Sequence, residues 1–140
     1  YAQLSRLEAE WLEGMEELSE VVERLVELYF AFSRNHPEFT RLLLWENLNK
    51  GKGIHSSNES LSKEPILKKL RAALRDAPRG TYRDDIDPRF LFLAVLGLTQ
   101  IFVSNRYTLS QGLGLDLASP AVQRRGLQNA LQFIRAGLKP

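Results

Sequence analysis

The 140-residue chain contains no cysteine, and its histidines number two, His36 and His55. Without cysteine, neither a disulfide framework nor a thiolate metal site can form. Two histidines supply little material for a transition-metal centre. We therefore expect no metal and no other cofactor, and the composition fits a reducing compartment such as the cytoplasm.

Long apolar runs are also missing. A membrane-spanning helix needs roughly 18 consecutive apolar residues, and the longest apolar run here is interrupted by Thr99, Gln100, Ser104 and Asn105. No signal-peptide pattern is visible. We therefore expect no membrane partner. Because Tyr1 already lies inside a helical pattern, we expect the chain to be part of a longer protein.

The chain also lacks a convincing catalytic or metal-binding motif. It has no phosphate-binding glycine loop and no G-x-S-x-G sequence. Asp84, Asp85 and Asp87 are close in sequence but do not follow the spacing of a calcium-binding loop. His36 precedes Pro37 at a helix start, where a capping or exposed role is expected. The sequence predicts no catalytic residue.

What the chain does have is the composition of one ordinary globular domain spanning residues 1–140. Hydrophobic residues make up 44% and charged residues 26%, and this length is enough for one core. The net charge of +2 is unevenly spread, because residues 1–30 carry eight Glu against Arg6 and Arg24. The remaining positive charge is distributed over several segments, which favours a solvated surface over a nucleic-acid site.

Apolar residues recur at three- and four-residue steps, so the sequence predicts an all-α fold without strands. Gly14 weakens the first helix and marks a bend. Asp87-Pro88 and Ser119-Pro120 are helix-start signals. The six predicted helices cover residues 1–13, 16–35, 37–50, 65–77, 88–107 and 120–138. Leu42 to Trp45 are consecutive apolar residues, so the third helix should be buried on more than one side.

The fifth helix is apolar around almost its whole circumference from Phe90 to Val103. Such a helix is either central or lends one face to a second subunit. Small residues in the fifth and the last helix permit close helix approach. We therefore predict a homodimer in which these two helices of each subunit form a four-helix bundle. The alternative is a fully intramolecular core. The predicted interface residues are Leu98, Phe102, Gly126, Ala130, Phe133 and Gly137.

A few polar residues interrupt the apolar helices, notably Glu46, Thr99 and Gln100. A buried polar group without a partner costs roughly 1–3 kcal/mol. These groups are therefore satisfied within the core or at the dimer seam, or else they orient a ligand in an apolar pocket. On the second interpretation, the candidate ligand-binding residues are Trp11, Phe32, Trp45, Asn47, Phe92 and Gln100. Aromatic residues at helical spacing are more often simple core.

Three stretches resemble, in order, the C-terminal regulatory domain of the TetR family. The first runs from Asn35-His36-Pro37-Glu38-Phe39 into Arg41-Leu42-Leu43-Leu44-Trp45-Glu46-Asn47. The second is Gly80-Thr81-Tyr82-Arg83-Asp84-Asp85-Ile86-Asp87-Pro88. The third is Ser104-Asn105-Arg106-Tyr107-Thr108-Leu109-Ser110, with the link from Gly114 to Pro120. Together they cover nearly the whole chain.

The resemblance implies a ligand-sensing and dimerisation domain. Residues 1–13 then correspond to the later part of the helix that joins the family's DNA-binding head, which is missing here. The resemblance also implies that the last two long helices form the dimer, that a small apolar effector controls DNA binding, and that operator DNA is contacted only through the missing head. It does not identify the effector.

Two other hypotheses remain open. The first is a helical dimerisation or adaptor module without a small-molecule ligand, which a solid core around Trp11, Phe32, Trp45 and Phe92 would favour. The second is a small helical enzyme that uses Glu46 or His55 as a base, which would require a cleft around them.

Overall fold

A computed structural model describes residues 1–53 and 62–140, and within these ranges the chain is all-helical, without strands. This confirms the predicted fold class. The helices, numbered in chain order, are α1 (Ala2–Leu12), α2 (Leu18–Asn35), α3 (Pro37–Leu48), α4 (Glu64–Asp76), α5 (Pro88–Ser104), α6 (Arg106–Leu113) and α7 (Pro120–Leu138).

Helix α2 forms the centre of the domain. Its apolar residues follow the helical repeat closely enough to bury most of its surface, and Leu25 and Val26 are completely inaccessible. Helices α1, α3, α4, α5 and α7 all pack against it. The chain leaves α1 through Gly14, whose φ of +74° favours glycine. Helix α2 then starts at Leu18, two residues later than predicted, because the Glu17 side chain caps it by accepting from Glu20 N at 3.1 Å.

Helix α5 begins as predicted, because the Asp87 side chain accepts from Arg89 N at 2.9 Å and Pro88 follows in the first turn. Its predicted end at residue 107 was wrong. Helix α5 ends at Ser104, the chain bends by 86°, and α6 follows as a separate helix. The bend lies at Asn105, whose φ of −119° and ψ of 22° leave the α-helical region. The described chain therefore has seven helices rather than six.

Helix α3 is less buried than predicted. Thr40 and Glu46 are its fully buried residues, whereas Trp45 is 56% exposed and Leu48 is 83% exposed. The consecutive leucines point in different directions around the helix, and α3 packs mainly against α2 and α5. Its outer side therefore carries an exposed apolar surface.

No single helix in the described part of the chain is long and apolar enough to cross a membrane; α5 and α6 pass that test only as a bent pair. Residues 54–61, which lie between the third and fourth predicted helices and include His55, are outside the described residues.

Candidate functional site

The surface formed by α5 and α7 is strongly apolar and has no cover within the described chain. Phe90 on α5 is 69% exposed and Phe133 on α7 is 71% exposed. Two grooves of about 330 and 340 Å³ run along this surface, and Leu98 and Phe133 line both of them. Isolated exposed apolar residues are common, but a continuous apolar groove marks an interaction site. We call this surface the α5–α7 face.

The six predicted interface residues all lie on or beneath this face, in two groups. Phe133 and Gly137 are exposed, and Leu98 lines the grooves. Phe102, Gly126 and Ala130 also line the larger groove but take part in contacts within the chain. Phe102 packs on Phe30 at 5.2 Å between ring centroids, Gly126 lies directly against the Phe102 ring, and Ala130 is buried.

The six predicted ligand-binding residues do not come together around one cavity. Phe32 is buried with its ring 5.2 Å from that of Phe39, and Phe92 is buried against Tyr29 at 5.7 Å between centroids. Trp11 is half-buried beneath the Arg24 guanidinium, 5.8 Å from its ring centre. Trp45 and Asn47 are exposed and Gln100 is half-buried. None of the six lines the clefts described in this section.

Two of the polar residues that interrupt the apolar helices form hydrogen bonds within their own helices. The Thr99 hydroxyl donates to Val95 O at 2.8 Å, and the Asn47 side-chain amide donates to Leu43 O at 2.7 Å. Glu46 differs, because its side chain is buried and its Oε2 atom has no hydrogen-bond partner among the described residues. The backbone of Gly53 lies directly against this carboxylate.

Two of the three acidic residues just before α5 are paired with arginines. Arg83 makes two hydrogen bonds to Asp85, at 2.9 and 2.7 Å, and Arg89 pairs with Asp87 at 2.8 Å. The arginines lower the pKa of both carboxyl groups. Within residues 1–53 and 62–140, no group of three or more metal-ligating side chains is assembled.

A separate cleft of about 470 Å³ lies between α1 and α4. Its volume falls within the range of small-molecule sites. Apolar side chains form much of its wall, and the charged residues that line it are Glu8, Glu13 and Lys69. The full lining comprises Ser5, Glu8, Ala9, Leu12, Glu13, Ser62, Pro65, Ile66 and Lys69. We call it the α1–α4 cleft.

Glu8 is the buried charged residue of this cleft, with a side chain that is 8% exposed. Its Oε1 atom accepts a hydrogen bond from the Tyr29 hydroxyl of α2 and another from Lys63 Nζ at 2.5 Å, at the start of α4. Burial raises the pKa of Tyr29 far above its usual range, and the Glu8 charge raises it further. Tyr29 is therefore a neutral donor. Glu8 thus connects α1 to both α2 and α4.

Most of the chain matches one protein-family model. The family model described as "Tetracyclin repressor-like, C-terminal domain" matches residues 19–134. The chain belongs to this family. Membership confirms the predicted TetR resemblance and accounts for an all-helical regulatory fold.

One curated relative of this TetR-family chain is the HTH-type transcriptional repressor NicS of Pseudomonas putida (strain KT2440). The two are 30% identical over 120 residues, which make up 84% of this chain and 57% of the repressor. The chain thus spans little more than half the length of that relative. No solved structure matches it. Both matches are to transcription regulators, which agrees with the prediction that the chain is not an enzyme.

The α1–α4 cleft of this TetR-family domain was not predicted from the sequence. Glu8 is one of eight glutamates in residues 1–30, and nothing in its immediate sequence separates it from its exposed neighbours. The available signal was positional, since Glu8 lies four residues after Leu4 and four before Leu12, both buried. That spacing places Glu8 on the apolar face of α1.

Proposed function

We propose that the chain is the effector-binding and dimerisation domain of a TetR-type transcriptional repressor. A small, largely apolar effector binds to it and controls DNA binding allosterically. Residues 1–140 form one domain, in which 1–13 are the end of the helix leading to the DNA-binding head. Operator DNA is contacted through that head alone, in the cytoplasm.

The α5–α7 face is the observation that carries this proposal. An isolated chain would leave the aromatic rings of Phe90 and Phe133 in water, beside grooves lined by Leu98. Burial of apolar surface stabilises association by roughly 25 cal/mol per Å² before the costs of binding. A second copy related by a two-fold axis presents the same face and covers both sets of rings. The α5 and α7 helices of the two subunits then form the four-helix bundle.

Control of DNA binding requires that an effector prefers one arrangement of the dimer over another. Helix α1 is the element that can report the effector, because it packs on α2 and forms one wall of the α1–α4 cleft. A shift of α1 in each subunit changes the separation of the two heads. Operator half-sites have a fixed spacing of roughly one DNA turn, so binding is sensitive to that change.

The alternative function, a dimerising adaptor without a ligand, has one observation in its favour. Phe32 and Phe92 pack in the core rather than around a cavity. On this alternative, the α5–α7 face still forms the dimer, but no small molecule binds.

Native mass spectrometry and light scattering of the purified chain test the proposal. We expect a dimer of twice 16.0 kDa, with additional small-molecule mass if the effector is retained. Phe133→Glu should give a folded monomer, because it places a charge at the centre of the face. Leu48→Glu on α3 is the matched control, since Leu48 is more exposed than Phe133 but lies on another helix, and this variant should remain dimeric. A monomeric wild-type chain would contradict the proposal.

A further inference from the structure

We infer that the effector binds in the α1–α4 cleft and that it is a small, largely apolar molecule with one N–H or O–H group, which it donates to Glu8. This inference rests on the proposed function and adds to it a site and a chemical class. The predicted pocket residues, such as Trp45 and Phe92, are not part of this cleft.

The shape and lining of the cleft fit such a ligand. Ala9 and Leu12 of α1 face Pro65 and Ile66 of α4 across an opening of about 470 Å³. Small-molecule sites typically combine apolar walls with a few polar groups that fix the orientation. The polar group here is Glu8, a carboxylate whose side chain is more than nine-tenths buried yet lines the cleft.

Within residues 1–53 and 62–140, the hydrogen bonds of Glu8 use one of its two carboxylate oxygens. Tyr29 and Lys63 both donate to Oε1, and within the described chain no hydrogen bond reaches Oε2. A carboxylate oxygen accepts hydrogen bonds but cannot donate them when ionised. A ligand that reaches Glu8 in this cleft is therefore recognised through a hydrogen-bond donor of its own.

The surrounding charges favour a neutral donor over an ion. Lys63 Nζ lies 2.5 Å from Glu8 and already balances its charge, so a ligand cation would be repelled by this ammonium group. A ligand anion would be repelled by Glu8 and Glu13 and attracted by Lys69, so the charged side chains around the cleft balance and favour an ion of neither sign. A neutral amide, indole or phenol donor avoids both repulsions while still gaining a hydrogen bond to a charged acceptor.

Binding at this position acts directly on α1. The two walls of the cleft are α1 and α4, so an occupant sets the distance between them. Glu8 is also the residue through which α1 is hydrogen-bonded to Tyr29 of α2 and Lys63 before α4. A ligand that shares this carboxylate therefore changes how α1 is held.

Indole and 1-methylindole are suitable probes because they differ in the single N–H donor. Binding to the purified chain can be followed by calorimetry and by backbone amide NMR shifts. We expect indole to bind about tenfold or more tightly than 1-methylindole, as loss of a hydrogen bond to a charged group implies. The largest shifts should fall on Ala9, Leu12 and Ile66.

Glu8→Gln tests the acceptor. The amide oxygen can keep the Tyr29 and Lys63 hydrogen bonds, while the amide nitrogen faces the cleft and cannot accept from indole. The variant should bind the two probes equally. Glu13→Gln is the matched control at the same cleft and should keep the preference for indole. A circular dichroism spectrum like that of the wild type shows that each variant is folded.

Three results would overturn the inference: no binding of indole, equal binding of both probes by the wild type, or shifts centred on Trp45 or Phe92 instead of the cleft. The proposed function is judged separately by the dimer and its loss in Phe133→Glu. A dimer that binds an effector elsewhere would therefore retain the proposed function and reject this site.

Discussion

Gly126 on α7 provides the most direct test of how α5 and α7 pack within one subunit. A Cβ atom added at Gly126 would lie 2.2 Å from Cζ of Phe102 and 2.7 Å from its Cε1, well inside van der Waals contact. The ring has little freedom to retreat, because it packs on Phe30 at 5.2 Å between centroids. Overpacking of this kind costs about 1–3 kcal/mol. Replacing glycine by alanine within a helix stabilises the helix by about 1 kcal/mol.

Gly126→Ala should therefore lower the free energy of unfolding by about 1 kcal/mol, which corresponds to a few degrees in Tm for a domain of this size. The sign should reverse when the ring is shortened. In a Phe102→Leu background, the added methyl group has room, and the helix preference alone should stabilise the fold by about 1 kcal/mol. The expected coupling between the two positions is thus about 2 kcal/mol.

Urea unfolding followed by circular dichroism measures all four proteins of this double-mutant cycle. Protein concentration is kept constant, because the stability of a dimer depends on it. Additive effects at the two positions would refute the contact between Gly126 and Phe102. The same outcome would return Gly126 to the role that the sequence alone suggested, a point of close approach between two subunits.

Three further predictions concern other parts of the molecule. Glu46→Met removes a buried carboxylate whose Oε2 has no partner among the described residues. It should therefore raise the free energy of unfolding, measured by urea titration, by about 1–3 kcal/mol. A lower free energy of unfolding would mean that this oxygen has a hydrogen-bond partner in solution. Since the pKa of Tyr29 is raised above its ordinary value of 10.0, its contribution to stability is complete below pH 10 and falls as the pH rises further. Tyr29→Phe should therefore make the alkaline loss of stability shallower above about pH 10, and an unchanged slope would contradict the raised pKa that burial and Glu8 give to Tyr29. A Cβ atom added at Gly97, on the exposed side of α5, meets open space within one subunit, so Gly97→Ala should stabilise the helix. If the α5 helix of a second subunit lies close, the same variant should weaken the dimer, as measured by light scattering. Gly112→Ala on α6 is the control, because its Cβ also meets open space and the dimer should stay intact.

The sequence predicted the helices best where local chemistry marks their ends. Asp87 followed by Pro88 predicted the start of α5, and the structure shows the corresponding cap. The end of α5 was missed because Asn105 carries no comparable signal. Tyr107 and the residues after it continue at helical spacing, and the 86° bend depends on one residue's backbone angles.

Burial was harder to predict than secondary structure. The consecutive apolar residues of α3 suggested burial on several sides, yet Trp45 and Leu48 are mostly exposed. Composition shows how apolar a helix is but not how many neighbours reach it. The same limit applies to Gly97 and Gly126, which look alike in the sequence. A ring contacts Gly126, whereas the space beside Gly97 is open.

The candidate site was missed because its parts are far apart in the sequence. The Glu8, Tyr29 and Lys63 side chains come from three separate segments, and only the packing of α1 against α2 brings them together. Aromatic residues at helical spacing suggested a pocket instead. Phe92 and Phe32 turned out to fill the core, which is the more common use of such residues.

The two kinds of contact that hold α1 differ in their directionality. Leu4 and Leu12 bury apolar surface, and the hydrophobic effect that favours this burial is non-directional. The hydrogen bonds of Glu8 are directional and fail when the atoms move by a fraction of an ångström. Within the proposed function, the position of α1 is therefore set by Glu8, Tyr29 and Lys63. A repressor that responds to its effector through α1 would need these hydrogen bonds to change, and the α1–α4 cleft gives a ligand access to them.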